Sequence, residues 1–103
     1  MMLVLETNGG LVHLFTSSTE AEFHLEALDV ANREYEFCDE AGQRFVGEIV
    51  SPVTAFCPGD FKLRPDGAPD MAVLDSVLLR PCRLERACCG VRSLDDLRRL
   101  HGS

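Results

Sequence analysis

Two five-residue apolar runs, Met2–Glu6 and Leu11–Phe15, are separated only by Thr7-Asn8-Gly9-Gly10. Asn-Gly and Gly-Gly supply the positive-φ backbone that a tight reversal needs, so the spacing predicts an antiparallel hairpin at the start of the chain. Residues 34–38 alternate with period two and place Tyr35 and Phe37 on one face of a strand. The turn Asp39-Glu40-Ala41-Gly42 follows, with Gly42 suited to the left-handed position of a bulged loop. Residues 43–50 form the return strand, Phe45 and Ile49 on one side and Val46 and Val50 on the other, and Ser51-Pro52 ends it. Residues 53–57 and 61–63 are expected to make one more pair around Pro58-Gly59-Asp60, at an edge because prolines suit edges.

Helical periodicity enters between and after these strands. Ser17 and Glu20 have the spacing of a capping box, opening a helix over residues 19–28. On it Phe23, Ala27, His24, Leu28, Ala21 and Leu25 form one apolar arc, and Glu22, Glu26 and Asp29 lie opposite. Arg64-Pro65-Asp66-Gly67-Ala68-Pro69 reads as a loop. After Asp70, a good N-cap, residues 71–80 are apolar almost all round, which predicts a well-buried helix. Pro81 either kinks that helix or starts another that ends at Gly90. Ser93 caps a last helix through Leu100, with Asp95 and Asp96 near its start and Arg98 and Arg99 near its end, as the helix dipole favours. The order predicts an α+β fold: an antiparallel sheet of four to six strands with helices packed on one face. At 103 residues and 46 % hydrophobic content, residues 1–103 make one domain with a core of its own.

Several classes of function lose support. No apolar run reaches the ~18 residues of a membrane-spanning helix, and the start meets Glu6 without a basic leader, so a cytoplasmic protein is expected. Cys38, Cys57, Cys82, Cys88 and Cys89 are odd in number and lack the C-x-x-C spacing of a zinc site. They are read as free, reduced and mostly buried. There is no phosphate loop, dinucleotide-binding glycine motif or nucleophile elbow, and no cofactor is called for. Arg80, Arg83, Arg86 and Arg92 could suggest a nucleic-acid surface, but a net charge of −7 opposes it and no aromatic residues interleave them. Those arginines are expected to pair with Glu85, Asp75 or the acidic half of the chain.

Charge is unevenly spread. Residues 1–60 hold eleven Asp/Glu against Arg33 and Arg44, whereas residues 61–103 hold eight Lys/Arg against six Asp/Glu. The densest acidic segment comprises Glu26, Asp29, Glu34, Glu36, Asp39 and Glu40. It admits three readings: a divalent-metal site, although the spacing is not that of a calcium loop; a solvated face; or a surface for a basic protein, where complementary charge raises association rate and selectivity. His24 admits two, a general base under a pocket or a buried imidazole packed under the sheet and bonded to a neighbour. His13 and His101 have no sequence-local partner that suggests a triad or a metal site.

The block from Leu25 to Gly42, Leu25-Glu26-Ala27-Leu28-Asp29-Val30-Ala31-Asn32-Arg33-Glu34-Tyr35-Glu36-Phe37-Cys38-Asp39-Glu40-Ala41-Gly42, resembles short acidic bacterial proteins with an LEAIDVxNGEYEAFDxxG stretch. Arg33 stands where that pattern has Gly. Small proteins of this type occur as immunity proteins beside secreted toxins, so the resemblance implies a helix-to-strand corner and an immunity-type inhibitor. Together with the charge distribution it favours a non-enzymatic domain that binds a basic protein through residues 29–40, without nucleic acid or membrane. The alternatives are a small enzyme or ligand-binding protein with a pocket near His24 or a thiol, and a subunit stabilised as a homodimer.

Overall fold

The computed structural model describes residues 1–79, 83–93, 95–97 and 99. Its elements run β1 (Met2–Glu6), β2 (Leu11–Phe15), α1 (Ser18–His24), α2 (Ala27–Ala31), β3 (Tyr35–Asp39), β4 (Arg44–Ser51), β5 (Asp60–Pro65), α3 (Met71–Leu79) and β6 (Arg83–Arg86). The strands form one sheet in the order β5-β4-β3-β1-β2-β6. It is an α+β fold, and every strand pair is antiparallel except β2 with β6, which is parallel.

The opening hairpin forms as the turn residues dictate. Gly10 sits at φ 63°, its N–H donates to Glu6 O at 2.9 Å, and Glu6 stands opposite Leu11. β1 is the central strand and carries an unbroken apolar run from Met2 to Leu5, buried on both faces. Leu3 and Leu5 join Val12, Leu14, Leu74, Val77 and Leu78 on one side. Met2 and Val4 join Phe15, Ala21, Ala27, Val30 and Phe37 on the other. Helices therefore cover both faces of the sheet, where the sequence pattern had placed them on one: α1 and α2 lie on one side, α3 and the C-terminal residues on the other. A continuous Met-Leu-Val-Leu strand needs exactly such two-sided cover, since a one-sided sheet would leave alternate residues in water.

The expected single helix over 19–28 is two helices. Ser17 Oγ accepts from Glu20 N–H at 3.2 Å, and the Glu20 carboxylate accepts from Thr16 Oγ at 2.8 Å, so the start is capped. Leu25 and Glu26 are then both extended, at ψ 153° and 136°. No Gly or Pro marks this break; its cause is tertiary. In a straight helix Val30 would project opposite Ala21, and Ala27 about 120° round from it, at about 100° per residue. The break turns them back into the cluster that holds Ala21, Phe37 and Phe61. α2 ends in a two-bond cap: Arg33 N–H donates to Val30 O at 3.0 Å and Glu34 N–H to Asp29 O at 3.1 Å. That is the Schellman pattern, with Arg33 in the left-handed position at φ 58°.

The β3–β4 turn is the bulged loop its residues predict. Asp39 Oδ1 accepts from the N–H groups of Ala41 and Gln43, both at 2.9 Å, and Gly42 lies at φ 79°. Residues 53–57 are not a strand. They form a turn in which Thr54 N–H donates to Cys57 O at 2.8 Å, and β4 pairs instead with β5. Asp70 caps α3, its Oδ1 accepting from Ala72 N–H at 3.0 Å. α3 buries Leu74, Val77 and Leu78 but leaves Leu79 84 % exposed, so the helix has one buried face rather than cover all round.

Residues 83–86, expected in a helix ending at Gly90, are strand β6. Arg83 N–H donates to Gly10 O at 2.8 Å, and the strand takes the open edge of β2. Ser93 caps the last helical residues as expected, its Oγ accepting from Asp96 N–H at 3.2 Å. The expected ends of these helices at Arg80 and Leu100 lie outside the described residues, as do Cys82, Arg98 and His101. The described cysteines are free, but only Cys38 is buried; Cys88 is partly buried, and Cys57 and Cys89 are exposed. The expected burial fails for these because their loops and turns lie outside the sheet's two packed faces.

Candidate functional site

The break at Leu25 decides what α1 and α2 show to solvent. With Ala21, Ala27 and Val30 turned inward, Phe23 is left 86 % exposed and Leu28 47 % exposed. His24 is also exposed, which overturns its expected place under the sheet. Its ring stacks on Phe15 at 5.8 Å between centroids and meets the edge of Phe23 at 5.5 Å. The Arg86 guanidinium carbon lies 4.9 Å from the centroid of the same Phe15 ring and pairs with Glu20 at 3.4 Å. Arg86 thus meets the acidic half of the chain, as its sequence setting suggested. Arg83 pairs with Glu85 at 3.8 Å.

Below this surface, the helix-to-strand corner gathers acid. Asp29 and Glu34 are brought together by the cap of α2, and Tyr35 Oη donates to Asp29 Oδ2 at 3.5 Å. The hydrogen bond between the two carboxyl groups, with partial burial and the neighbouring charges of Asp29 and Glu6, holds the Glu34 carboxyl above its usual range. Burial, then the charges of Asp29, Glu6 and Glu34, push the Tyr35 phenol up to about 12. Glu6 pairs with His13 at 2.5 Å. Among the described residues, Asp29 and Glu34 have no ion pair with a basic side chain.

The six carboxylates singled out by sequence fall into separate places. Asp29 and Glu34 meet at the corner. Glu26 is exposed at the N-cap of α2, where its side chain makes no cap bond. Glu36 is exposed on β3, opposite Leu5 of β1. Asp39 is spent on its own turn, and Glu40 pairs with the Met1 ammonium at 3.0 Å. These last two stand at the far end of β3 from Glu34, with Asp39 about 17 Å away at the usual rise per residue.

A cleft runs beside this corner. β3 and β4 pair at Phe37↔Phe45 and Cys38↔Arg44, with Asp39 N–H donating to Gln43 O at 3.0 Å beside the turn, and toward Tyr35 and Val46 the pairing stops. On the α2 side the opening is a hollow of about 570 Å³ walled by Val30, Arg33, Tyr35, Phe45 and Ile49. On the α3 side it is a smaller cavity of about 220 Å³ with Glu36, Arg44, Asp66 and Ser76 in its walls. Val46, 52 % exposed, borders both. Among the described residues no three His, Cys, Asp or Glu side chains converge as a metal site, and no helix is long and apolar enough to cross a membrane.

The exposed Phe23 and Leu28 and the strand-parting cleft were not read from the sequence. Leu28 would lie within about 20° of Ala21 on a continuous helix, so the break exposes it, whereas Phe23 lies about 200° round α1 from the buried Ala21 and is exposed by the phase of α1 itself. Comparison with protein-family models, curated proteins and solved structures gives no match.

Proposed function

We propose that this chain is a non-enzymatic protein-binding domain that engages a basic protein in the bacterial cytoplasm, in the manner of an immunity-type inhibitor of a basic toxin. One observation carries the reading: Phe23 and Leu28 project from the outer surface of α1 and α2, in the same stretch as Glu26 and the Asp29–Glu34 pair. An exposed aromatic anchor rimmed by charge is the usual make-up of an interface centre. The acidic rim selects a partner rich in Lys and Arg and guides its approach. The binding surface is then α1, α2 and the start of β3, with Glu26, Asp29 and Glu34 as its charged members, while Glu36 stands on the other face of β3, the side of α3. Asp39 and Glu40 fall outside it, engaged in their own turn and with the chain start.

The test is association kinetics with a candidate basic toxin encoded beside this gene, at low and high salt. The wild-type chain is expected to bind with a rate that falls as salt rises. Glu26→Lys with Glu34→Lys should slow association, and Phe23→Ser should speed dissociation. A salt-insensitive rate, or binding unchanged in both variants, would refute the reading.

A further inference from the structure

The geometry points to a redox-modification site at Cys88–Cys89, a vicinal dithiol that hydrogen peroxide closes to a disulfide and thiols reopen. Three observations converge on it. The two sulfurs lie 2.8 Å apart, well inside ordinary non-bonded contact. They sit in a tight reversal closed by Val91 N–H donating to Cys88 O at 2.9 Å, with Cys88 and Val91 bridged. Its two central residues, Cys89 at φ 59° and Gly90 at φ 80°, are both left-handed. Gly is at home there, but Cys is not. A cysteine held in a sparsely populated backbone conformation, in contact with a second thiol, is a feature that calls for a role.

The two sulfurs differ in the way such a reaction needs. Cys89 is exposed, whereas Cys88 is partly buried and packs against the core cluster that contains Val91 and Leu97. Burial, followed by the contact with Cys89, pushes the Cys88 thiol up to about 12, so Cys88 is the resolving rather than the attacking group. The Cys89 thiolate attacks one peroxide oxygen; the O–O bond breaks, hydroxide leaves, and Cys89 becomes a sulfenic acid. Cys88 sulfur then attacks the sulfenic sulfur. The S–S bond forms, the S–O bond breaks, and the departing hydroxide takes the Cys88 proton as water. Two thiols and one peroxide give one disulfide and two waters, with two electrons passing from sulfur to oxygen.

The product is built to be reversible. The peptide bonds here are trans, so the adjacent Cα atoms are about 3.8 Å apart, short of the roughly 4.4–6.8 Å that disulfides usually span. Strain of this kind makes a disulfide easy to reduce.

The experiment treats the full chain with hydrogen peroxide, blocks remaining thiols with an alkylating reagent, and reads intact and peptide masses. The peptide carrying Cys88 and Cys89 is expected to lose two hydrogens, to escape alkylation and to regain both thiols with dithiothreitol. The same closure is expected in a Cys57→Ser, Cys82→Ser chain. Cys88→Ser should trap Cys89 as a sulfenic acid that proceeds to sulfinic acid. Sulfinic acid at Cys89 in the wild-type chain with Cys88 still alkylated would overturn the proposal. So would pairing of either residue with Cys57 or Cys82, or two unreacted thiols.

Discussion

Val30 and Gly47 meet where α2 crosses β4: a β-carbon on Gly47 would lie 2.3 Å from Val30 Cγ1. Val30 is 8 % exposed, and its side chain occupies the space that any other residue at 47 would need. This contact sets how closely the helical layer approaches the part of the sheet that forms the cleft. Valine cannot swing aside cheaply, because its branched β-carbon restricts χ1.

Gly47→Ala is therefore expected to destabilise the fold by about 1–3 kcal/mol, the usual range for overpacking. Val30→Ala makes room at the same point, so the double variant should be less destabilised than the sum of the two. Urea unfolding of all four chains measures the coupling, expected at about 0.5 kcal/mol or more. Additive losses would show that α2 does not rest on Gly47.

Arg33 offers the opposite case. It fills the left-handed position of the α2 cap, at φ 58°. That conformation costs an L-residue roughly 1–2 kcal/mol, and glycine returns about 0.5–1 kcal/mol of this through its greater freedom in the unfolded chain. Arg33→Gly should stabilise the protein by about 0.5–1 kcal/mol, while Arg33→Ala should not, because it keeps the β-carbon. Denaturation midpoints of the three chains decide it.

Local chemistry was legible in the sequence and long-range geometry was not. The Asn8-Gly9-Gly10 hairpin, the Gly42 bulge and the caps at Ser17, Asp70 and Ser93 all depend on neighbours within a few residues. β6 was hidden because Arg-Leu-Glu-Arg suits a helix equally well; the free edge of β2 makes it a strand. The two-sided cover of the sheet was written in the unbroken run of β1, a signal that a one-sided reading passes over. Charge density marked the Asp29–Glu34 corner correctly as acidic, yet could not show that Asp39 would be consumed by its own turn. The exposure of Leu28 follows from the break at Leu25, which no residue type announces.

Leu78 and Leu79 are sequence neighbours with opposite surroundings. Leu78 is 4 % exposed in the α3 side of the core, and Leu79 is 84 % exposed. Leu78→Ala should cost about 2–5 kcal/mol, and Leu79→Ala no more than about 0.5 kcal/mol. Equal effects in thermal or urea unfolding would show the phase of α3 to be different.

Glu34 gives the acidic corner a measurable pH signature. Its hydrogen bond with Asp29 comes first among the causes that raise its carboxyl above the usual range, followed by partial burial and the charges of Asp29 and Glu6. The folded chain consequently holds a proton there that the unfolded chain has already released. Folding stability from this site is full below the unfolded value, and it declines as pH rises through the folded one. Glu34→Gln keeps a hydrogen-bond donor toward Asp29 and removes the titration, so its stability should be less dependent on pH between the ordinary carboxylate range and neutrality. Urea unfolding across that interval, for both chains, reads the difference. A carboxyl-carbon NMR titration should place Glu34 above the usual glutamate range. Binding of a basic partner at this corner would favour the ionised pair and release the proton, so the heat of binding just above the usual carboxylate range should vary with the ionisation enthalpy of the buffer. Wild-type and Glu34→Gln chains with identical pH profiles would rule out a raised Glu34 carboxyl.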